Sequence, residues 1–241
     1  MKVQRYKHDS LVSYTLGATL TFELVKCRPE LVTRVLVSSL TDSSEGNRAI
    51  LERCRQENIP VEQNDKAFNI LSPKGNCFVI GEFRKEAQQL AEGSHIVLVN
   101  PSDAGNLGTI IRTAAGFDLH DIAIIRPAVD IYDPKAVRAT MGAVFHIRAE
   151  YFDTIEEYCR RFPDNSRYAF MLTSSRPLTE IVPQKPYSLV FGNEATGLPE
   201  HYAGFCQSVV IRHSQAIDSL NLPIAAGIAM FEFTKSEWAA N

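Results

Sequence analysis

The sequence predicts an α/β protein in which a small N-terminal α/β domain precedes a larger domain built on a parallel sheet. The second half contains short apolar runs without polar alternation, which are typical of strands buried on both faces. Helical segments separate these runs, as in sheets that are covered by helices. The charged stretch 84–94 ends in Gly93 and Ser94 and marks a boundary between a domain of residues 1–90 and one of residues 95–241.

Four elements are predicted in the first domain. A helix over 9–26 stops near Pro29, a strand covers 33–39, a charged amphipathic helix covers 45–58, and a second strand covers 77–83. These elements form a small α/β sandwich.

The second domain alternates strands with helices. The predicted strands are 95–100, 121–127, 167–173, 187–193 and 208–214. The predicted helices are 107–117, 134–145, 154–162, 199–205 and 222–238. This alternation is what βαβ units require, and it favours a parallel sheet.

Composition and charge exclude several classes of protein. The 241-residue chain has a net charge of −3, and no apolar stretch is long enough to span a bilayer. No signal-peptide pattern follows the basic N-terminus. The five cysteines are odd in number and lack a C-x-x-C pair, which predicts free thiols in a reducing cytoplasm and argues against a structural zinc site. The six histidines show no metal-ligand spacing, so we expect no metal.

The stretch "NPSDAGNLGTIIRTAAGF" (100–117) is compatible with neither of two familiar glycine-rich motifs. Gly105 and Gly108 form G-x-x-G, whereas a dinucleotide site needs G-x-G-x-x-G and an acidic residue at the end of the second strand. Here Asp121 begins that strand and Arg126 ends it. A K-homology domain also uses G-x-x-G, but this stretch lies between a buried strand and a helix and carries no basic residue in the motif.

Three segments carry a resemblance when they are taken together. The first has an asparagine and an arginine six residues apart, the second is "LVFGNEATGLP" (189–199), and the third contains S-L-N and opens a helix within 211–232. Residues 95–235 resemble the SpoU (TrmH-type) class of the SPOUT superfamily, which are S-adenosylmethionine-dependent RNA ribose 2′-O-methyltransferases. The matched positions are Asn106, Arg112, Gly192, Glu194, Gly197, Leu198, Ser219, Leu220 and Asn221.

The resemblance implies a trefoil-knotted catalytic domain, which is an exception to the rule against threaded chains. It also implies an L30e/L7Ae-like RNA substrate-binding domain in residues 1–90, and a homodimer with the last helix and the first motif at the interface. The implied catalytic residues are Asn106, Arg112, Glu194, Ser219 and Asn221. The implied S-adenosylmethionine contacts are Thr173, Gly192, Asn193, Gly197, Ile211 and Leu220. The implied RNA contacts are Arg112 with Lys135 and Arg138 from the loop-helix 133–145.

The residues themselves are compatible with this chemistry. Two glycines within six residues after a strand predict a backbone that approaches a ligand closely or takes positive φ. The net charge of −4 in residues 94–241 suits a cationic sulfonium, while RNA would need a local basic patch. Arg112 is implied as the base, but a guanidinium with a pKa above ~12 is a reluctant base. Its other role is to bind the phosphate beside the target ribose with both nitrogens.

Several alternatives stay open at this stage. Arg112 can serve an internal ion pair with Glu194 or Asp218, and Glu194 can cap the helix after its strand. Ser219 and Asn221 are common N-cap residues and can combine capping with catalysis. His201 and His213 are interpreted as solvated or structural.

The function also has alternatives. The chain can be an RNA-binding protein without catalysis, or a methyltransferase that acts on a base nitrogen. The sequence does not choose between ribosomal and transfer RNA.

Overall fold

The computed structural model describes residues 3–72, 77–173 and 176–238. The chain divides into two compact units. Unit 1 contains the residues up to Glu86 together with Asp130–His146, and unit 2 contains Ala87–Val129 together with the chain from Ile147 onward. The chain therefore leaves unit 2 after its first two strands, β5 and β6, and returns to it seventeen residues later, an excursion that the predicted boundary between residues 90 and 95 did not include.

The strands in chain order are β1 (Val12–Leu16), β2 (Val32–Val37), β3 (Val61–Gln63), β4 (Val79–Arg84), β5 (His95–Val99), β6 (Asp121–Ile125), β7 (Arg148–Phe152), β8 (Ser166–Phe170), β9 (Arg176–Pro177), β10 (Tyr187–Phe191) and β11 (Gln207–Val210). The α-helices are α1 (Ala18–Cys27), α2 (Glu45–Gln56), α3 (Asp65–Leu71), α4 (Ala104–Gly116), α5 (Pro134–Ala139), α6 (Ile155–Arg161) and α7 (Leu222–Trp238). None of the helices in these described ranges has the length and apolar character needed to cross a membrane.

Unit 1 is built on a four-stranded sheet with the order β1-β4-β2-β3, in which β4 is antiparallel to both of its neighbours. The amphipathic helix α2 turns Ile50 and Cys54 toward the sheet, where they pack with Val25 and Val35. The charged side chains of Glu45, Arg48, Glu52 and Arg55 are exposed on the opposite side of α2, as its pattern predicts.

The predicted helix over 9–26 is wrong in its first half. Residues 12–16 form β1, and α1 begins only after Gly17, whose φ of 113° ends the strand. Ser13 and Thr15 are buried in β1 because their hydroxyls have partners there: Ser13 donates to the Tyr132 carbonyl, and the Thr15 hydroxyl accepts from the Gly81 N–H at 3.0 Å.

The excursion 130–146 completes the core of unit 1. Phe83 makes edge-to-face contacts with Tyr132 and Phe145, at ring-centroid distances of 5.8 and 5.4 Å. The hydroxyl of Tyr6 donates to the Asp130 carboxylate at 2.5 Å. The predicted helix over 134–145 divides here: α5 ends at Ala139, Met141 and Gly142 take φ values of 51° and 95°, and a 3₁₀ turn follows over Ala143–Phe145.

Unit 2 is an α/β unit whose seven-stranded sheet has the order β7-β6-β5-β10-β8-β11-β9, and every neighbouring pair is parallel. This confirms the predicted α/β fold with a parallel sheet. Strands β6 and β10 are buried at all five positions, as expected for a sheet covered on both faces. The sequence prediction missed β7 and β9, and the predicted helix 199–205 is a 3₁₀ helix over Glu200–Gly204.

Candidate active site

The candidate site lies at the carboxyl ends of the neighbouring parallel strands β5 and β10, the edge of an open α/β sheet where ligands bind. After β5 the chain makes a short turn and enters α4. Asp103 caps this helix, because its side chain accepts from the Asn106 N–H at 2.8 Å. The cap fixes the position of Asn106 on the first turn of α4.

The carboxylate of Glu194 joins the loop after β10 to this turn. It accepts from the Ser102 hydroxyl at 2.8 Å, from the N–H groups of Ser102 and Asp103 at 3.2 and 3.3 Å, and from the Asn106 side-chain amide at 3.3 Å. Burial raises the pKa of Glu194, but these hydrogen bonds outweigh burial and the pKa is lowered overall. Glu194 therefore holds the first motif against the second as an ionised group, and it does not cap a helix after its own strand.

The side chain of Asn193 makes hydrogen bonds that stabilise the loop after β10. Its side-chain amide donates to the Asn100 carbonyl at 2.8 Å, while its side-chain oxygen accepts from the N–H groups of Ala195 and Thr196 at 2.9 and 3.2 Å. The Gly197 N–H donates to the Asn193 carbonyl at 2.9 Å. The loop 192–198 is therefore fixed by hydrogen bonds within the loop and by one to Asn100, directly after β5.

The two glycines of this loop have different physical roles. A Cβ on Gly192 would lie 2.2 Å from the Gly197 carbonyl carbon and 2.4 Å from the Leu198 nitrogen, so no side chain fits between these backbone segments. Gly197 has a φ of 67°, a conformation that L-residues with side chains adopt at a cost. Both features that the sequence predicts for these glycines are present: positive φ at Gly197 and a close approach at Gly192. The close approach is to the protein's own backbone.

A cavity of about 240 Å³ opens beside the loop, between the ends of β8, β10 and β11 and the start of α7. Phe170 and Phe191 stack in its wall with ring centroids 4.6 Å apart. The predicted cofactor residues that line the cavity are Gly192, Asn193, Gly197, Ile211 and Leu220, and the predicted catalytic residues that line it are Glu194 and Ser219. Thr173 is exposed and is not among the described residues of the lining.

The sequence of the second half of the chain matches a known protein family. The sequence profile of the SpoU rRNA methylase family matches residues 93–231. The chain belongs to the SpoU rRNA methylase family.

The chain has relatives of similar sequence and fold. It is 30% identical over 149 residues to an uncharacterized tRNA/rRNA methyltransferase of Synechocystis, covering 61% of this chain and 54% of that protein. It is 27% identical over 156 residues to the 23S rRNA (guanosine(2553)-2′-O)-methyltransferase RlmP of Bacillus subtilis, covering 60% of this chain and 59% of that protein. The chain thus spans somewhat more than half the length of these two relatives. An AdoMet-bound rRNA methyltransferase from Sinorhizobium meliloti has a similar structure, with a TM-score of 0.79 and 26% identity, covering 94% of this chain and 88% of that one.

Arg112 lies on the exposed side of α4, whose buried side carries Leu107, Ile110, Ile111 and Ala114. Within residues 3–72, 77–173 and 176–238, its guanidinium has no carboxylate and no hydrogen-bond partner. The alternative of an internal ion pair with Glu194 or Asp218 is therefore not seen in the structure. The Arg112 side chain is exposed to solvent.

The third motif precedes α7. The Asn221 carbonyl accepts from the Ala225 N–H at 3.0 Å, so Asn221 stands at the start of the helix. Neither Ser219 nor Asn221 makes a side-chain hydrogen bond within the described part of the chain, so side-chain capping is not seen and both polar groups are exposed.

The predicted RNA contacts Lys135 and Arg138 are exposed and lie on α5, which belongs to unit 1. The catalytic candidates belong to unit 2. The structure therefore groups the two predicted sets in different units, although both fall within the segment that resembles the family.

His213, which the sequence analysis interprets as solvated or structural, lines the cavity. Its Nδ1 lies 2.9 Å from the Ile211 carbonyl oxygen, which can only accept, so Nδ1 is the donor of this hydrogen bond. The available signal was its position two residues after Ile211, itself a predicted cofactor contact. His201, by contrast, packs against the rings of Tyr202 and Phe205, as a structural histidine does.

Proposed function

We propose that this protein transfers the methyl group of S-adenosylmethionine to a ribose 2′-hydroxyl of ribosomal or transfer RNA. One observation carries the proposal: Glu194 holds the first two motifs together beside a cavity that is lined by five of the six residues predicted to bind the cofactor. The relative RlmP of Bacillus subtilis, a 23S rRNA 2′-O-methyltransferase, supports the same reaction.

The cavity has the chemistry that the cofactor needs. Phe170 and Phe191 offer apolar ring surface for the adenine, and the peptide groups of Gly192, Ile211 and Leu220 offer hydrogen bonds. The lowered pKa of Glu194 keeps a negative charge in the lining at neutral pH, which favours a cationic sulfonium. When bound, the cofactor supplies an activated methyl group.

The chain's own residues prepare the ribose. The exposed guanidinium of Arg112 binds the phosphate beside the target nucleotide with two parallel hydrogen bonds and holds the 2′-hydroxyl in line with the methyl group. Asn106, held by Glu194, and the exposed side chains of Ser219 and Asn221 are the other polar groups of the catalytic set. Lys135 and Arg138 bind the RNA backbone by charge.

The finer features of the fold are part of the proposal. We assign the trefoil knot to unit 2 on the basis of the family and its all-parallel sheet, and the L30e/L7Ae-like RNA-binding role to unit 1. The homodimer forms through α7, which exposes the apolar side chains of Ile224, Ile228 and Phe231. All five cysteines are free thiols, which fits a reducing compartment such as the cytoplasm.

The test is methyl transfer from labelled S-adenosylmethionine to total RNA from a strain that lacks the gene, followed by digestion to nucleosides. The proposal expects the label in 2′-O-methylated nucleosides. Label in a methylated base would assign the enzyme to base-nitrogen methylation. Tight RNA binding without any transfer would make it a binding protein.

A further inference from the structure

Three side chains with different donor atoms meet in unit 1, outside the candidate active site. Glu23 and Cys27 are one turn apart on α1, and His146 follows the 3₁₀ turn Ala143–Phe145. The Cys27 Sγ lies 3.3 Å from the His146 Nε2 and 3.7 Å from the Glu23 Oε2, and the His146 Nε2 lies 3.4 Å from the same carboxylate oxygen. One sulfur, one nitrogen and one oxygen therefore form a small triangle.

The triangle has the dimensions of one face of a tetrahedral zinc site. Ordinary Zn–S, Zn–N and Zn–O distances with tetrahedral angles place S and N about 3.6 Å apart, S and O about 3.5 Å apart, and N and O about 3.3 Å apart. The three observed separations differ from these values by a few tenths of an ångström. A single ion can reach all three atoms with little movement of the side chains.

The backbone holds each of the three side chains in place. Cys27 ends a helix that is anchored by the fully buried Leu24 and Val25. His146 follows Phe145, whose ring is buried against Phe83.

Gly142 fixes the third member of the triangle. Its φ is 95°, and a Cβ there would lie 2.9 Å from both Cβ and Cγ of Glu23, so the glycine allows the 140–146 turn to pack directly on the Glu23 stem. Side chains that are already held in place lose less conformational entropy when they bind a metal ion.

We propose that Glu23, Cys27 and His146 bind one Zn²⁺ ion, with water as the fourth ligand on the exposed side of His146. Thiolate, imidazole and carboxylate together select a borderline-soft ion such as zinc, whereas Mg²⁺ and Ca²⁺ prefer oxygen ligands throughout. The ion ties α1 to the excursion 130–146 and so stabilises unit 1. Sequence spacing gives no sign of this site, because 119 residues separate Cys27 from His146.

The test uses the full-length protein, stripped of metal with a chelator, and zinc chloride as the only added ligand. Calorimetry and equilibrium dialysis are expected to show one zinc ion per chain. Cys27→Ser, His146→Gln and Glu23→Gln are each expected to weaken zinc binding by at least about tenfold, since even changes to groups that only support a ligand have effects of this size. Cys159→Ser, which removes a partly exposed thiol of unit 2, is the matched control and is expected to bind zinc normally.

Cobalt supplies a readout that needs no variant. Co²⁺ bound by the wild-type protein is expected to show a sulfur-to-cobalt charge-transfer band that disappears on adding zinc. Zinc is also expected to raise the Tm of the wild type and the Cys159→Ser variant but not of Cys27→Ser. Absence of zinc binding, or equal binding by the wild type and all three ligand variants, would overturn the proposal. Neither result bears on methyl transfer, because the triangle contains no residue of the candidate active site.

Discussion

Arg112 shows how a single residue can separate a structural from a functional interpretation. A charged side chain on an otherwise apolar helix is unusual, and an internal ion pair would explain it without any function. The structure instead leaves the guanidinium exposed, and the carboxylate of Glu194 is occupied by the Ser102, Asp103 and Asn106 donors. At this scale the two residues have separate roles: Glu194 organises the turn, and Arg112 is available to the substrate.

Arg112→Ala is therefore expected to leave the fold intact and to lower activity. We expect the free energy of unfolding to change by no more than about 0.5 kcal/mol, as for other surface substitutions. Turnover should fall by ~10² or more, the scale of a positioned acid–base group.

Arg112→Lys should not restore activity, because a point charge cannot make two parallel hydrogen bonds. The measurements are Tm and single-turnover methylation on one preparation, with the exposed Arg160→Ala as control. A variant that melts early but methylates normally below its transition would make Arg112 a structural residue.

Glu194→Gln is expected to give a pH-dependent loss of stability. Because folding lowers the pKa of Glu194, its ionised form stabilises the native state above the unfolded pKa of about 4.3, and this contribution disappears as the pH falls through the lower folded pKa. The Tm of the variant should lie below that of the wild type at pH 7, and the difference should shrink as the pH falls through the lowered folded pKa. Glu200→Gln, in an exposed position, is the control; a Tm difference independent of pH would contradict the assignment.

At the scale of elements, the loop after β10 is fixed by backbone packing and α7 supplies one wall of the cavity. Gly192 fits only without a side chain, and Gly197 needs positive φ. Substitutions in the loop therefore test its folding, while a substitution on α7 tests the cavity itself.

Gly192→Ala is expected to destabilise the protein more than Gly197→Ala. The first places a methyl group against fixed backbone at 2.2 Å, and overpacking of this kind costs roughly 1–3 kcal/mol or more. The Cβ of Gly197→Ala has no atom within 4 Å, so its only cost is the left-handed backbone conformation, about 1–2 kcal/mol. Urea unfolding of both variants gives the comparison, and equal losses would show that the loop can move apart.

Ala225→Leu is expected to block the cofactor without unfolding the chain. Ala225 is partly exposed and lines the cavity from α7, so the larger side chain occupies cavity space instead of core. S-adenosylmethionine affinity should fall by at least about tenfold by calorimetry, equivalent to the loss of about 1.4 kcal/mol. Ser236→Leu, exposed on the same helix, should bind normally. Unchanged affinity in a folded Ala225→Leu protein would place the cofactor elsewhere.

The elements also show what the sequence can and cannot reveal. Strands β6 and β10 are predicted correctly because a run of apolar residues can be seen in the local sequence alone. Strand β1 is missed because its buried Ser13 and Thr15 are satisfied by groups 119 and 66 residues away, information that no local pattern contains. The cavity residues Ile211 and Leu220 follow from motif resemblance, whereas the meeting of Cys27 with His146 depends entirely on the folded backbone.

At the scale of the whole molecule, α7 presents an apolar surface to solvent. Its exposed apolar side chains recur at helical spacing: Ile224 (57% exposed), Ile228 (39%) and Phe231 (55%). The ring centroid of Phe231 lies 6.4 Å from that of Phe117 at the end of α4. An exposed apolar stripe of this kind marks an association surface.

We expect the protein to be a dimer of about twice 26.9 kDa through this surface. Ile228→Asp should yield a folded monomer, because dimerisation would bury a charge without a partner. Light scattering at micromolar concentration gives the mass, and Val182→Asp, at another exposed apolar position, should remain dimeric. A wild-type monomer, or an unaffected Ile228→Asp dimer, would move the interface away from α7.

The excursion 130–146 has a consequence for the order in which the chain folds during synthesis. The first 86 residues emerge from the ribosome without the rings of Tyr132 and Phe145 that pack on Phe83, and without the carboxylate of Asp130 that accepts from Tyr6. By the time those groups arrive, β5, α4 and β6 have already been made. The core of the nascent N-terminal unit therefore stays incomplete until residue 146 has been translated.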